Sequence, residues 1–355
     1  MKDKREKYIP WIDMARSIAI LCVVWCHVVE EVYHFNLEYV SQLPLSAKIF
    51  SFSAFTIGRL GVPIFLFITG YLLLGKEYNK EKCKVFWKHN LLSLFITVEI
   101  WIVLYHIFLT LYYQNDFDFS ILLETMLFVR PVNISHMWYM PMILGCYLFI
   151  PVVSNGLIKN NKEACLLPLL AAGIQLFIFP IISMLSHVFY GKDISSLISI
   201  EFCGCYAYMI IMGYLVKYGI FKKIHNKFLI LIQIGMFLCA VIFQIFLYQK
   251  QFPYNIWYNC GFLFLSALAL FELFSRIKIK KFYNFFYSTA RCSFGVYLLH
   301  NPIKMLLIHC RWIQVIEILW VKVIVLFLIT FLIAWGGTLI LSKISKLGKI
   351  LFLIK

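Results

Sequence analysis

Arg16 and His27 pair a permanent cation with a ring that exchanges protons near neutral pH, eleven residues further on. On a helix, eleven residues make three turns plus about 20°, so the two side chains share one face. They stand about 16 Å apart along the axis, the arginine near a membrane surface and the histidine well inside a bilayer. An ionisable group at that depth is costly and marks a site. Glu30 and Glu31 follow at about 60° and 40° round the helix from His27, and either carboxylate could orient the ring. The sequence does not choose between them.

Further along, the second apolar stretch contains Gly58-Arg59-Leu60-Gly61-Val62-Pro63. Glycine and proline there predict an interrupted helix. Irregular backbone at that depth is tolerated only beside protein or a water-filled cavity, so Arg59 is expected to face such a cavity. His136 stands at the mouth of a later span, in Ser135-His136-Met137-Trp138-Tyr139, and His300 precedes Asn301-Pro302 inside another. Glu99 and His106, seven residues apart, could form a second polar stripe.

These residues need helices to position them. Of 355 residues, 62% are hydrophobic and 14% charged, too few charges for a soluble domain of this length. Apolar runs of membrane-spanning length recur throughout and predict an all-α, polytopic membrane protein. About ten spans are expected, at 17–33, 49–74, 91–113, 137–153, 165–188, 201–216, 228–248, 255–275, 292–308 and 323–341. Residues 1–355 then read as one transmembrane domain. The net charge of +16 could suggest nucleic acid, but the lysines and arginines sit in short loops between apolar runs. They alternate between rich and poor segments, which places both termini in the cytoplasm. No nucleic-acid partner is expected. The eleven cysteines lack metal-type spacing, so no metal is expected either. The charged lead followed by an apolar run without a small-residue cleavage site reads as a retained first helix.

Four pieces together resemble the acyltransferase family 3 membrane proteins: Arg16-x10-His27, the stretch from Gly58 to Tyr71, His136-Met-Trp-Tyr, and Tyr297-Leu-Leu-His300-Asn-Pro. The Val-Pro in the second span is similar to the branch holding O-acetyltransferases of surface polysaccharides and of enterobacterial common antigen. The resemblance implies acetyl transfer from acetyl-CoA to a hydroxyl of a cell-envelope carbohydrate, in the plasma membrane. The family's essential arginine and histidine fall on Arg16 and His27, its second-span motif on Arg59, and its Trp-preceding histidine on His136. One departure is Phe86-Trp87-Lys88-His89-Asn90, where many members carry an arginine-rich run. Lysine keeps the charge there but loses the bidentate fork.

Ester formation from a thioester asks for a base, an oxyanion partner and cations for the donor's phosphates. His27 fits the base, with Glu30 or Glu31 to orient it. Arg59 fits the oxyanion or the acceptor. Arg16 with Lys76, Lys82, Lys84 and Lys88 fits the phosphates of coenzyme A, although these loop lysines also suit anionic lipid. The competing reading is a transporter or flippase for a glycan or lipid-linked sugar, which ten helices with buried charges would equally allow. Against it, the Arg-x10-His helix has no counterpart in the second half. A homo-oligomer is compatible with either reading.

Overall fold

The computed structural model describes residues 9–131, 134–159, 162–194, 204–279 and 281–354. The charged lead at 1–8 and the start of the sixth expected span, 201–203, lie outside them. The helices run in the order α1 (Pro10–Tyr33), α2 (Leu37–Gln42), α3 (Leu45–Arg59), α4 (Gly61–Leu73), α5 (Lys80–Phe86) and α6 (Leu92–Tyr113). There follow α7 (Phe119–Met126), α8 (Tyr139–Lys159), α9 (Lys162–Gly173), α10 (Phe179–Tyr190), α11 (Cys205–Tyr218) and α12 (Asn226–Gln249). The last are α13 (Gly261–Ser275), α14 (Tyr283–Ile308), α15 (Arg311–Gln314), α16 (Leu319–Ser342) and α17 (Ser345–Phe352). No strand occurs among the described residues.

The chain is an all-α polytopic membrane protein. Among the described residues, seven helical runs are long and apolar enough to cross a bilayer: Pro10–Tyr33, Leu45–Leu73, Lys80–Tyr113, Ser135–Lys159, Leu167–Tyr190, Asn226–Gln249 and Leu319–Ser342. Each overlaps one expected span. The other three expected spans, 201–216, 255–275 and 292–308, overlap α11, α13 and α14, which are shorter or more polar.

The helices gather into two compact units. The first comprises Met1–Leu74, Asn160–Ala290 and Val315–Phe327, the second Gly75–Lys159, Arg291–Gln314 and Leu328–Lys355. In the first unit α1 packs on α3, α4 and α13, α11 packs on α4, and α12 packs on α3 and α13. The apolar windows of α1 and of Leu45–Leu73 are each 72% buried, so most of their residues pack against protein. Glycine allows this closeness. A Cβ on Gly58 would stand 2.6 Å from the Cα of Cys26, and one on Gly61 2.6 Å from the carbonyl oxygen of Ala19. Backbone therefore meets backbone where α1 crosses α3 and α4.

The interruption of the second span is present but slight. Leu60 separates α3 from α4 while keeping right-handed helical angles, φ −65° and ψ −22°, and its N–H reaches the Ile57 carbonyl at 3.2 Å. That is one tightened turn, not the open, irregular backbone expected from the sequence. Gly58 and Gly61 serve helix contact, and Pro63 sits in the first turn of α4, where a missing N–H is tolerated.

In the second unit α6 carries the C-terminal residues. Thr97 Oγ1 donates to the Ile350 carbonyl and Trp101 Nε1 to that of Leu351, both at 2.8 Å. α14 passes through Pro302 without breaking. A proline at 302 cannot donate to the carbonyl of Leu298, and the Tyr105 hydroxyl donates to that oxygen instead.

Candidate active site

α1 runs unbroken through both Arg16 and His27, so the expected common face is kept. Arg16 is half-buried and His27 is buried. Of the two acidic candidates, Glu30 takes the place beside the ring, with Oε2 3.3 Å from His27 Nδ1. Its other oxygen, Oε1, lies 3.8 Å from Nη2 of Arg59. One carboxylate thus faces a histidine and an arginine from different helices.

Arg59 is buried at the end of α3, where the Gly58–Cys26 contact brings it to α1. Its guanidinium carbon lies 4.6 Å from the centre of the Phe55 ring, 4.5 Å from that of Trp257 and 5.4 Å from that of Tyr258. Desolvated cation–π contacts of this kind stabilise a buried charge by about 1–2 kcal/mol each. Nη1 donates to the Tyr258 hydroxyl at 3.2 Å. Nε is buried and has no hydrogen-bond partner among the described residues. A charged donor left in that state costs at least about 1–3 kcal/mol, which an arriving oxygen would recover.

Trp257 and Tyr258 escaped the sequence reading because 255–275 reads as one apolar run. The helix begins only at Gly261, and residues 252–257 are non-helical. Pro253 and Asn255 are the turn signals that could have shown it. Gln244 of α12 fixes this segment. It is fully buried, donates to Thr56 Oγ1 at 2.9 Å, and accepts the Ile256 N–H at 3.1 Å. Tyr248 adds a bond to the Phe35 carbonyl at 2.6 Å, just beyond the end of α1.

His136 occupies a different setting in the second unit. It is 1% exposed, in a 3-10 turn, Ser135–Trp138, at the start of α8. Its Nδ1 lies 2.8 Å from Asn301 Nδ2 and so accepts that amide proton. The Tyr105 hydroxyl gives its own proton to Leu298, so its oxygen receives Nε2–H of His136, at 3.3 Å. Both ring nitrogens are thus engaged. Tyr297 holds the backbone as well, donating to the His136 carbonyl at 2.7 Å. The His300 ring stands 4.9 Å away, its Nδ1 donating to the Tyr297 carbonyl at 2.6 Å. The geometry is that of a joint between α6, α8 and α14.

The expected phosphate contacts divide between the units. Arg16 belongs to the first and Lys76, Lys82, Lys84 and Lys88 to the second. Lys76 is half-buried, its N–H held by Ser154 at 3.1 Å, while Lys82 and Lys84 on α5 and Lys88 on a π-helical turn, Trp87–Leu91, are exposed. Glu99 and His106 share α6, each partly buried, and Glu99 Oε1 and His106 Nε2 find no hydrogen-bond partner among the described residues. No cluster of metal-ligating side chains occurs among the described residues.

A buried histidine and a buried guanidinium from two apolar helices, with a half-exposed carboxylate between them, form a cluster of ionisable groups. The chain belongs to acyltransferase family 3, whose acyltransferase domain profile matches residues 9–340. Among curated proteins it is similar to two from Staphylococcus aureus, strains COL and MSSA476, that carry the provisional name O-acetyltransferase. Each is 25% identical over 224 residues, which is 54% of this chain and 33% of the relative. The match thus spans about a third of the length of those relatives. No solved structure matches the chain.

Proposed function

We propose that this protein is a membrane O-acetyltransferase that moves an acetyl group from acetyl-CoA to a hydroxyl of a cell-envelope carbohydrate, in the plasma membrane. The observation that carries the reading is Glu30, set between His27 Nδ1 and the Arg59 guanidinium, with the Nε–H of Arg59 buried and unsatisfied. Donation of Nδ1–H to Glu30 puts the ring's lone pair on Nε2, where a base needs it. The acceptor hydroxyl attacks the thioester carbon while Nε2 takes its proton. Negative charge gathers on the former carbonyl oxygen, and Arg59 Nε–H supplies a fixed, already desolvated donor for it. Collapse breaks the C–S bond, and the coenzyme A thiolate leaves with the proton from His27. Arg16, three turns back on the same face, is suited to a phosphate of the donor.

Family membership and the names of the relatives support acyl transfer. The choice of a surface glycan as acceptor rests on the second-span resemblance. Purified protein in proteoliposomes, given radiolabelled acetyl-CoA and envelope glycan, should label the glycan, and His27→Ala should not. Glycan that crosses the membrane unlabelled would replace this reading with a transporter.

A further inference from the structure

The second unit holds an open groove of about 630 Å³ whose lining includes none of the residues given a catalytic role above. One wall comes from the π turn and α6, including Leu91 and Phe95. The other is one face of α8, where Gly145 and Leu148 recur at helical spacing. Phe128, 6.2 Å from Phe95 between ring centres, flanks the Phe95 end. At the other end Phe86 meets Tyr147 at 6.0 Å, next to Trp87 and Lys88. Lys88 carries the groove's only charge. Its setting is a π turn, a widening of the helix that recurs at functional sites.

We propose that this groove is a binding site for an anionic membrane phospholipid, with one hydrocarbon chain between α6 and α8 and the headgroup phosphate on Lys88. Charge complementarity selects the headgroup. Lys82 and Lys84, exposed on α5 just before the turn, extend the positive surface beside Lys88. A tryptophan and a lysine together are also the residues that settle at a membrane–water boundary, the one by its ring and the other by its long stem. Apolar walls select the chain. Coenzyme A, whose amides and hydroxyls would lose hydrogen bonds against leucine and phenylalanine, does not fit them. Lys88 is thereby taken from the donor's phosphates and given to a lipid's. The proposal stands whether or not the acyl-transfer reading does.

The full-length protein in nanodiscs of phosphatidylglycerol should unfold several degrees higher than in nanodiscs of phosphatidylcholine, because a ligand that binds only the folded state raises the melting temperature. Lys88→Ala, on an exposed side chain, should remove most of that difference. So should Gly145→Leu, which changes no charge. Its Cβ meets nothing within 4 Å, so the new side chain fills the groove without straining α8. Soluble glycerol phosphate should give no rise. Equal melting in the two lipids would overturn the proposal. So would a difference that survives either substitution, which would trace it to the net charge of +16 instead. A matching rise with glycerol phosphate would overturn the lipid as the source.

Discussion

His27 and His136 are both buried, at 9% and 1% exposure, yet their partners differ in kind. His136 is held by an amide and a phenol, neutral groups that satisfy both ring nitrogens. His27 is held by a carboxylate that also faces a guanidinium. A ring whose two nitrogens both meet neutral partners gains less from a proton than one beside a carboxylate. A ring with a carboxylate behind Nδ1 can accept a proton on Nε2 and be stabilised as it does so. Burial alone therefore does not distinguish the two rings. The charge and direction of their partners do.

Substitutions can break this contrast or sharpen it. His27→Ala should lower acetyl transfer by about 10²–10⁴-fold, the span of a lost general base, and leave the melting temperature nearly unchanged. A comparable rate loss from His136→Ala, with equal stability, would erase the distinction. Arg59→Lys should cost about 10²–10³-fold in kcat, since an ammonium supplies no Nε–H and no flat face for Trp257. His136→Ala should act mainly on the fold, lowering stability by about 1–3 kcal/mol in chemical unfolding, because the Asn301 amide and the Tyr105 hydroxyl lose their partner. Glu30→Gln should slow kcat about tenfold with KM held, as an orienting bond worth about 1.4 kcal/mol would. Glu31→Gln should match wild type in the same assay. Tyr258→Phe should cost only a few-fold in kcat, because Arg59 keeps its aromatic faces.

The first helix was legible because its signals are local. An arginine and a histidine eleven residues apart share a face of any helix long enough, and α1 is. The choice between Glu30 and Glu31 was not legible, since it depends on which edge of α1 meets α3. Cys26 makes that contact, and Glu30, four residues on, lies above it on the same edge, whereas Glu31 lies above His27. Trp257 and Tyr258 were hidden for a related reason: they reach Arg59 across 199 residues of chain, through a segment that Gln244 pins in place. The helical break expected at Gly58–Pro63 was overestimated, and Pro302 likewise leaves α14 unbroken. Neighbouring groups absorb what each residue removes, Tyr105 replacing the N–H that Pro302 lacks. His136 was singled out by its place at the mouth of a span and then by the resemblance, but its partners Asn301 and Tyr105 are distant in the chain and were not legible.

The contact between Gly58 and Cys26 has a consequence for variation. Each is the immediate chain neighbour of a site residue, Gly58 of Arg59 and Cys26 of His27. The spacing of the backbones that carry His27 and Arg59 is therefore gauged by two main chains in touch, much as a fixed jaw sets a calliper. Any side chain at position 58 would wedge the jaws open. Sequence variation at this crossing would have to leave the gauge alone and fall on the surfaces around it.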